Sequence, residues 1–243
     1  MEDSKIRKIQ QALVDKGFVL GDVDGIWGRR SIAAVKAFQA QQRLEVDGIV
    51  GPQTWGALFP TPAGATAGDR IATPEPLLPW LEEARHLIGT KEILGPRSNP
   101  AILDWAHDLD AHYPGDDVPW CGLFVGHCIA TTMPDEVLPT NVLAARAWQK
   151  FGDSTTPRLG AVMVFWRGAR DGWQGHVGLY AGEDTRANAF RILGGNQSDS
   201  VCYTWIGKDR LLSARWPRTA SSLGGGTAVV HVDMRGELST REA

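Results

Sequence analysis

Ala161-Val162-Met163-Val164-Phe165-Trp166, with Gly160 before it and Gly168 after it, is where the chain changes character. Six apolar residues rich in β-branched and aromatic types, closed off by glycines, read as a buried strand. The periodic segments upstream have helical spacing, and those downstream are strand-like. His176-Val177-Gly178-Leu179-Tyr180 reads as a second strand, and Arg191-Ile192-Leu193 leads into Gly194-Gly195-Asn196-Gln197. Val201-Cys202-Tyr203-Thr204-Trp205 is a further strand, and Leu211 to Trp216 ends the set. Helices first and antiparallel strands afterwards predict an α+β domain.

Working back from Ala161, Val142 to Phe151 reads as helical, and before it stands Pro119-Trp120-Cys121-Gly122-Leu123-Phe124-Val125. Pro119 stops a helix from entering from upstream, which puts Cys121 in the first turn of the apolar run Leu123 to Ala130. Phe124, Val125 and Cys128 fall at i+3, i+4 and i+7 from Cys121, on one helical face. At that position the unpaired backbone N–H groups and the positive helix end favour a thiolate. Trp80 to Ile88 and Ala101 to Leu109 are predicted to be the helices before it.

Pro60 to Pro79 is dominated by Pro, Ala, Gly and Thr and reads as a linker. On its other side, Ser4 to Lys16 is an amphipathic helix with Ile6, Ile9 and Leu13 on one face, ended by Gly17. An internal repeat follows: Val23-Asp24-Gly25-Ile26-Trp27-Gly28 recurs as Val46-Asp47-Gly48-Ile49-Val50-Gly51. Each copy is an Asp-Gly turn followed by a helix, Arg30 to Gln42 and Gln53 to Phe59. Units this short must pack together with the first helix to bury a core. The expected organisation is a module over 1–59, a linker over 60–79, a second domain over 80–219 and a tail over 220–243. For that tail the sequence leaves open an edge strand, a swapped segment or a disordered end.

Composition narrows the function classes. The chain has 243 residues, 43% of them apolar and 22% charged, as in ordinary globular protein. A net charge of −3 without a basic block argues against nucleic acid as partner. Cys121, Cys128 and Cys202 are an odd set without a CxxC pair, so free thiols are expected rather than a disulfide framework or structural zinc. No HxxxH or clustered ligand pair is present, so neither metal nor cofactor is expected, and a zinc amidase is the weaker enzyme alternative. The amino terminus has no apolar core of signal-peptide length and no stretch approaches a membrane span. Synthesis in the cytoplasm without membrane insertion is expected, with any export by another route.

A catalytic thiol needs a base in hydrogen-bond reach and a third group to hold that base. Of six histidines, His176 is placed best, opening an apolar strand after Gly175. His127 lies at i+6 on the Cys121 helix and points away from the sulfur. Asn196, after two glycines at a strand end, is the candidate third member, with Asp199 and Glu183 as competitors. Cys128 and Cys202 read as packing. The Cys121 backbone N–H is the natural oxyanion donor, and a second could come from the loop holding Glu92 and Asn99.

Two resemblances attach to these residues. Residues 5 to 59, with the doubled Val-Asp-Gly-Ile-x-Gly, Ala34 to Gln39 and Thr54-Trp55, resemble the small three-helix peptidoglycan-binding module of bacterial and phage cell-wall hydrolases. That resemblance implies wall binding near the repeated turns, at Asp24, Trp27 and Asp47; singly, these residues read first as turn makers. Residues 80 to 217 resemble the NlpC-like and CHAP cysteine amidohydrolase/peptidase group, papain-like in fold. The matching residues are Pro119-Trp120-Cys121, Gly175-His176-Val177-Gly178, Gly194 to Ser198, Lys91-Glu92 with Asn99-Pro100, and Arg215-Trp216-Pro217. This resemblance implies nucleophile Cys121, base His176 and orienting residue Asn196, with Trp120, Glu92 and Asn99 near the substrate. The chain departs from the commoner NlpC pattern at Trp120, where Asp is usual, and at Asn196, where His is usual. The expected function is a monomeric peptidoglycan hydrolase of endolysin type, cutting a stem-peptide amide. A secreted antibacterial effector, with a protective immunity partner, and a tail-associated lysin are variants of it. A non-catalytic wall-binding or virion protein is the competing class.

Overall fold

The computed structural model describes residues 2–60, 75–93, 97–115, 118–220 and 230–239. Most of the expected linker, the Gly224-Gly225-Gly226 run, and Ala228 and Val229 of the expected terminal strand lie outside the described residues. The chain divides into two compact units, Met1–Glu83 with Ala220–Gly226, and Ala84–Thr219 with Thr227–Ala243.

The first unit contains α1 (Glu2–Asp15), α2 (Arg29–Gln41) and α3 (Pro52–Leu58). The apolar stripe Ile6, Ile9 and Leu13 of α1 is buried with Ile32, Val35 and Phe38 of α2 and Trp55 and Leu58 of α3. This is the core that the 3.6-residue spacing anticipates. α1 stops where expected: Gly17 has φ 87, and the Phe18 N–H closes back onto the Leu13 carbonyl at 2.9 Å. The short α3 has Pro52 at its first position, where a missing N–H costs nothing.

α4 (Pro79–His86) spans the division between the units. The second unit continues with α5 (Pro100–Asp108), α6 (Cys121–Thr132) and a 3-10 helix, Ala145–Lys150. Six strands follow: β1 (Asp153–Thr155), β2 (Val162–Trp166), β3 (Gly175–Asp184), β4 (Ala189–Gly194), β5 (Cys202–Gly207) and β6 (Leu211–Trp216). They form one antiparallel sheet in the order β1-β6-β2-β3-β4-β5. The α+β class stands: helices come first, then helices packed on a six-stranded antiparallel sheet. α6 packs on β3 and β4 and against α5, with nine of its twelve residues buried, which is why its sequence shows little amphipathic contrast.

Three details differ from the sequence reading. Val142 to Phe151 is not one helix: only Ala145–Lys150 is helical, and as 3-10. Just upstream, Val142 gives its carbonyl to Trp148 Nε1 at 3.0 Å, a side-chain bond that ties the segment back on itself. β1 had no sequence signal, being three residues, two of them exposed, paired only to β6. In the tail, residues 230–239 lie along the sheet. Glu183 N–H donates to Val230 O at 2.8 Å, Val232 N–H donates to Glu183 O at 3.0 Å, and Ser239 N–H donates to Trp205 O at 2.8 Å.

Candidate functional site

Trp120 is the N-cap residue of α6, and its carbonyl accepts the Phe124 N–H at 3.0 Å, so Cys121 occupies the first helical position. The backbone N–H groups of Val177, Gly122 and Cys121 itself, and the charge of Arg167, act on the sulfur. All four favour a thiolate. Cys121 is only 2% exposed, however, and burial pushes its thiol above the ordinary value of 9.0, outweighing them. The helix start therefore supplies the donors the sequence predicts without producing a preformed thiolate in this closed arrangement.

The Val177 N–H belongs to the beginning of β3, one residue after His176. The His176 ring is fully buried, with Nε2 3.0 Å from Gln197 Oε1. The orientation of that amide is fixed by its other end: Gln197 Nε2 donates to the carbonyls of Cys202 and Ile192. An amide oxygen can only accept, so imidazole Nε2 carries the proton, and in the neutral ring Nδ1 holds the basic lone pair. The residue that meets the imidazole is thus Gln197, one position beyond the expected Asn196.

Asn196 has a different place. Its amide, oriented to satisfy both partners, accepts from the Trp120 N–H at 3.2 Å and donates to Glu92 Oε1 at 3.3 Å. Glu92 Oε1 also accepts from Trp120 Nε1 at 2.7 Å. The β4–β5 turn is thereby clamped to the residue before Cys121. Asn196, Ser198 and Asp199 take φ of 53, 52 and 58, a run of left-handed residues that winds the turn tightly. Gly195 lets it come close: a Cβ there would stand 2.6 Å from both the Trp120 ring and Phe124 Cβ. The Lys91 strand segment finishes the clamp, bridging Ser200, with Glu92 N–H donating to Asp199 O at 3.0 Å.

Cys121 also lines a cavity of about 280 Å³ with Asn141, Arg146, Arg167, Trp173 and Gln174. Arg146 braces its outer wall, donating to the carbonyls of Gln174, Ala169 and Arg170 at 2.8, 3.2 and 3.0 Å. Trp173 is 86% exposed at the rim. Trp120, expected near substrate, is fully buried. Asn99 caps α5, accepting from Ala101 N–H at 2.9 Å and donating to Lys91 O at 2.7 Å. Of the competitors for the third position, Glu183 is paired with Lys208 at 2.6 Å and accepts from Tyr180 OH at 3.2 Å. His127 stacks on Trp105, ring centroids 4.9 Å apart. Cys128 is buried core, while Cys202 is half-buried and its thiol donates to Gln197 O at 3.2 Å. Among the described residues no three His, Cys, Asp or Glu side chains are grouped to hold a metal ion.

In the first unit the two repeats carry the same hydrogen-bond network. Gln10 Nε2 donates to Asp24 Oδ1, Ile26 O and Ser31 Oγ at 2.8, 3.0 and 3.1 Å, and its Oε1 accepts Gly25 N–H at 2.8 Å. Gln39 Nε2 donates to Asp47 Oδ1, Ile49 O and Thr54 Oγ1 at 2.8, 3.0 and 3.2 Å, and accepts Gly48 N–H at 2.8 Å. In each copy the aspartate also accepts the N–H of the following isoleucine. The Ile26 N–H and then Gln10 hold the Asp24 carboxyl below its ordinary range. Asp24 and Asp47 are thus turn builders, and Trp27 fills the core at 4% exposure. The sequence reading took the aspartates singly as turn makers and placed wall binding near them and Trp27; the structure shows the turn-making role of Asp24 and Asp47.

Residues 2–58 match the family described as Putative peptidoglycan binding domain. The three helices and the paired turn networks make up the matched region. The chain is also similar to an uncharacterized protein in the bpoA1 3′ region of Kitasatospora aureofaciens, 54% identical over 37 residues. That alignment covers 15% of this chain and 31% of the relative. No solved structure matches the chain. The second unit is an α+β domain of unassigned family.

Sequence reasoning missed three participants. Gln10 and Gln39 precede their turns by different distances, 14 and 8 residues, so the repeat pattern does not extend to them. Ser31 and Thr54 were legible, each three residues after the glycine that ends its repeat. Gln197 stood beside the chosen Asn196, but in a turn of left-handed residues no simple periodicity says which side chain points to the sheet.

Proposed function

We propose that the protein is a cysteine-dependent peptidoglycan hydrolase that cleaves an amide or peptide bond of the wall's stem peptide. The observation that carries this reading is the 3.0 Å contact between His176 Nε2 and Gln197 Oε1, on the strand whose Val177 N–H acts on Cys121 at the start of a buried helix. His176 Nδ1 takes the Cys121 proton as the sulfur attacks the carbonyl carbon, and the Cys121 N–H supports the developing oxyanion. The C–N bond then breaks as His176 returns that proton to the leaving amine, giving a thioester. Water, deprotonated by the same nitrogen, displaces the sulfur and regenerates the thiol. Gln197 holds the imidazole in the tautomer this sequence needs, and the N-terminal domain raises the local concentration of the enzyme on an insoluble substrate.

A second reading, a wall-binding protein without catalysis, is favoured by the burial of both Cys121 and His176. Digestion of purified walls separates the two. Hydrolysis that is abolished by iodoacetamide and by Cys121→Ala, and is indifferent to EDTA, supports the thiol mechanism. Activity that survives alkylation and dies with chelator refutes it. Wall pelleting without hydrolysis of any wall type leaves the binding protein. Mass spectrometry of released fragments identifies the bond.

A further inference from the structure

We propose that Asn141 is the second oxyanion donor, its side-chain NH₂ meeting the carbonyl oxygen of the amide under attack. This rests on the hydrolase reading and adds a residue to it. Asn141 lines the cavity that contains Cys121, and it lines a second hollow of about 400 Å³ on the side of Asp110 and His112. Leu143 is shared by both as well, so Asn141 stands on the ridge where the two meet.

The ridge is held against the nucleophile's own backbone. A Cβ on Gly122, the residue after Cys121, would fall 2.1 Å from Val142 O and 3.1 Å from Leu143 O. The carbonyl of Val142 is fixed in turn by Trp148 Nε1 at 3.0 Å. Asn141 therefore begins one residue from a peptide group in contact with the first turn of α6. The orientation of its amide is settled too. Oδ1 accepts the Ala144 N–H at 3.2 Å, and a backbone N–H can be met only by the oxygen. The end that Ala144 leaves over is the donor end, on a residue that lines the cavity.

Gln174 and Arg167 share the lining of this cavity with Asn141, while four other polar side chains of the domain are engaged elsewhere. Asn99 caps α5 and Asn196 clamps Trp120. Gln197 holds His176, and Arg146 holds three carbonyls of the β2–β3 connection. The sequence reading looked for the second donor on the loop holding Glu92 and Asn99; Glu92 Oε1 is an acceptor of Trp120 Nε1 and Asn99 Nδ2 is spent on Lys91 O.

The test uses the full chain. Asn141→Ser keeps an oxygen able to cap Ala144 N–H and removes the NH₂; Asn141→Asp keeps Oδ1 and removes the same donor. On purified walls both should lose about 100-fold in kcat, the range seen when one oxyanion donor is removed, with KM within threefold. Thermal unfolding, wall pelleting and the rate of Cys121 alkylation by iodoacetamide should stay near wild type in Asn141→Ser, which a purely structural role would not allow alongside that loss. An Asn141→Ser protein whose kcat stays within threefold of wild type overturns the assignment. So does a loss of kcat matched by an equal fall in alkylation rate or a collapse in thermal stability. Wild-type protein that alkylates at Cys121 yet hydrolyses no wall overturns the hydrolase reading itself, and Asn141's role falls with it.

Discussion

Replacing Gln197 by Ala removes the acceptor of His176 Nε2–H at 3.0 Å, inside a site where the histidine is fully buried and Gln197 is 1% exposed. A buried donor left without a partner costs ~1–3 kcal/mol. Carried wholly into the transition state, that is roughly a 5- to 150-fold loss of rate. The same substitution strips a donor from the carbonyls of Cys202 and Ile192, and that share of the loss falls on folding. We therefore expect Gln197→Ala to lower kcat on purified walls by about 100-fold and stability in urea by about 2 kcal/mol. Asn196→Ala should behave differently. It breaks the clamp to Trp120 and Glu92, so it should cost about 1–2 kcal/mol of stability and only a few-fold in rate. Histidine-selective nitrogen NMR reads the cause without relying on turnover: His176 should hold its proton on Nε2 in wild type and in Asn196→Ala, and lose that fixed tautomer in Gln197→Ala. If Gln197→Ala keeps the Nε2–H tautomer and turnover within threefold, while Asn196→Ala loses both, the assignment of the orienting role to Gln197 is wrong.

Four further outcomes are expected. Gly195→Ala puts a Cβ 2.6 Å from Phe124 and the Trp120 ring, an overpacking of ~1–3 kcal/mol that calorimetry should register as a lower Tm. Because burial raises the folded Cys121 pKa above its ordinary value, its contribution to stability is complete below that value and lost as pH rises through it; wild type should lose more stability than Cys121→Ala in urea titrations at pH 7 and pH 10. Cys121 alkylation should accelerate towards alkaline pH, and Arg167→Gln should move the midpoint higher still; a rate already maximal at pH 5 would mean a preformed thiolate. Gln39→Leu should destabilise the peptidoglycan-binding domain by about 2–3 kcal/mol, and more than Gln10→Leu, since Asp47 is 5% exposed while Asp24 can turn to water; equal losses in urea would show that the burial of Asp47 contributes nothing.

How much of this was legible follows from where each signal resides. Helices α1 to α3, α5 and α6 carry their evidence locally, in apolar spacing, Pro or Asn starts and Gly stops, and their ends were read to within one or two residues. β2 and β6 were visible as compact apolar runs between turn residues. β1 was not, because its pairing depends on β6, more than fifty residues away, and its own residues are polar. The 142–151 segment was misread as well: Trp148 reaches back to the Val142 carbonyl, a side-chain bond that helical periodicity does not register. At the candidate site, Cys121 and His176 were singled out because each has a local marker, a proline-bounded helix start and a glycine-led strand. The residues that hold them in place act through a turn and a clamp whose partners lie far apart in sequence.

Burial explains why so much of this machinery is supporting structure. Trp120, Gln197 and Asn196 are almost wholly inside, so each polar atom they bring must be met, and each is met by a residue from another segment: Glu92, His176, the Cys202 carbonyl. That arrangement fixes the imidazole tautomer, but it also takes water away from the sulfur and raises its pKa. Helix-end donors and Arg167 offset part of that rise and do not reverse it. A resting thiol has to lose its proton during attack, so a site built this way depends on its base more than one with a preformed thiolate does. The weight therefore shifts from the helix start, where the sequence placed it, to the His176–Gln197 pair.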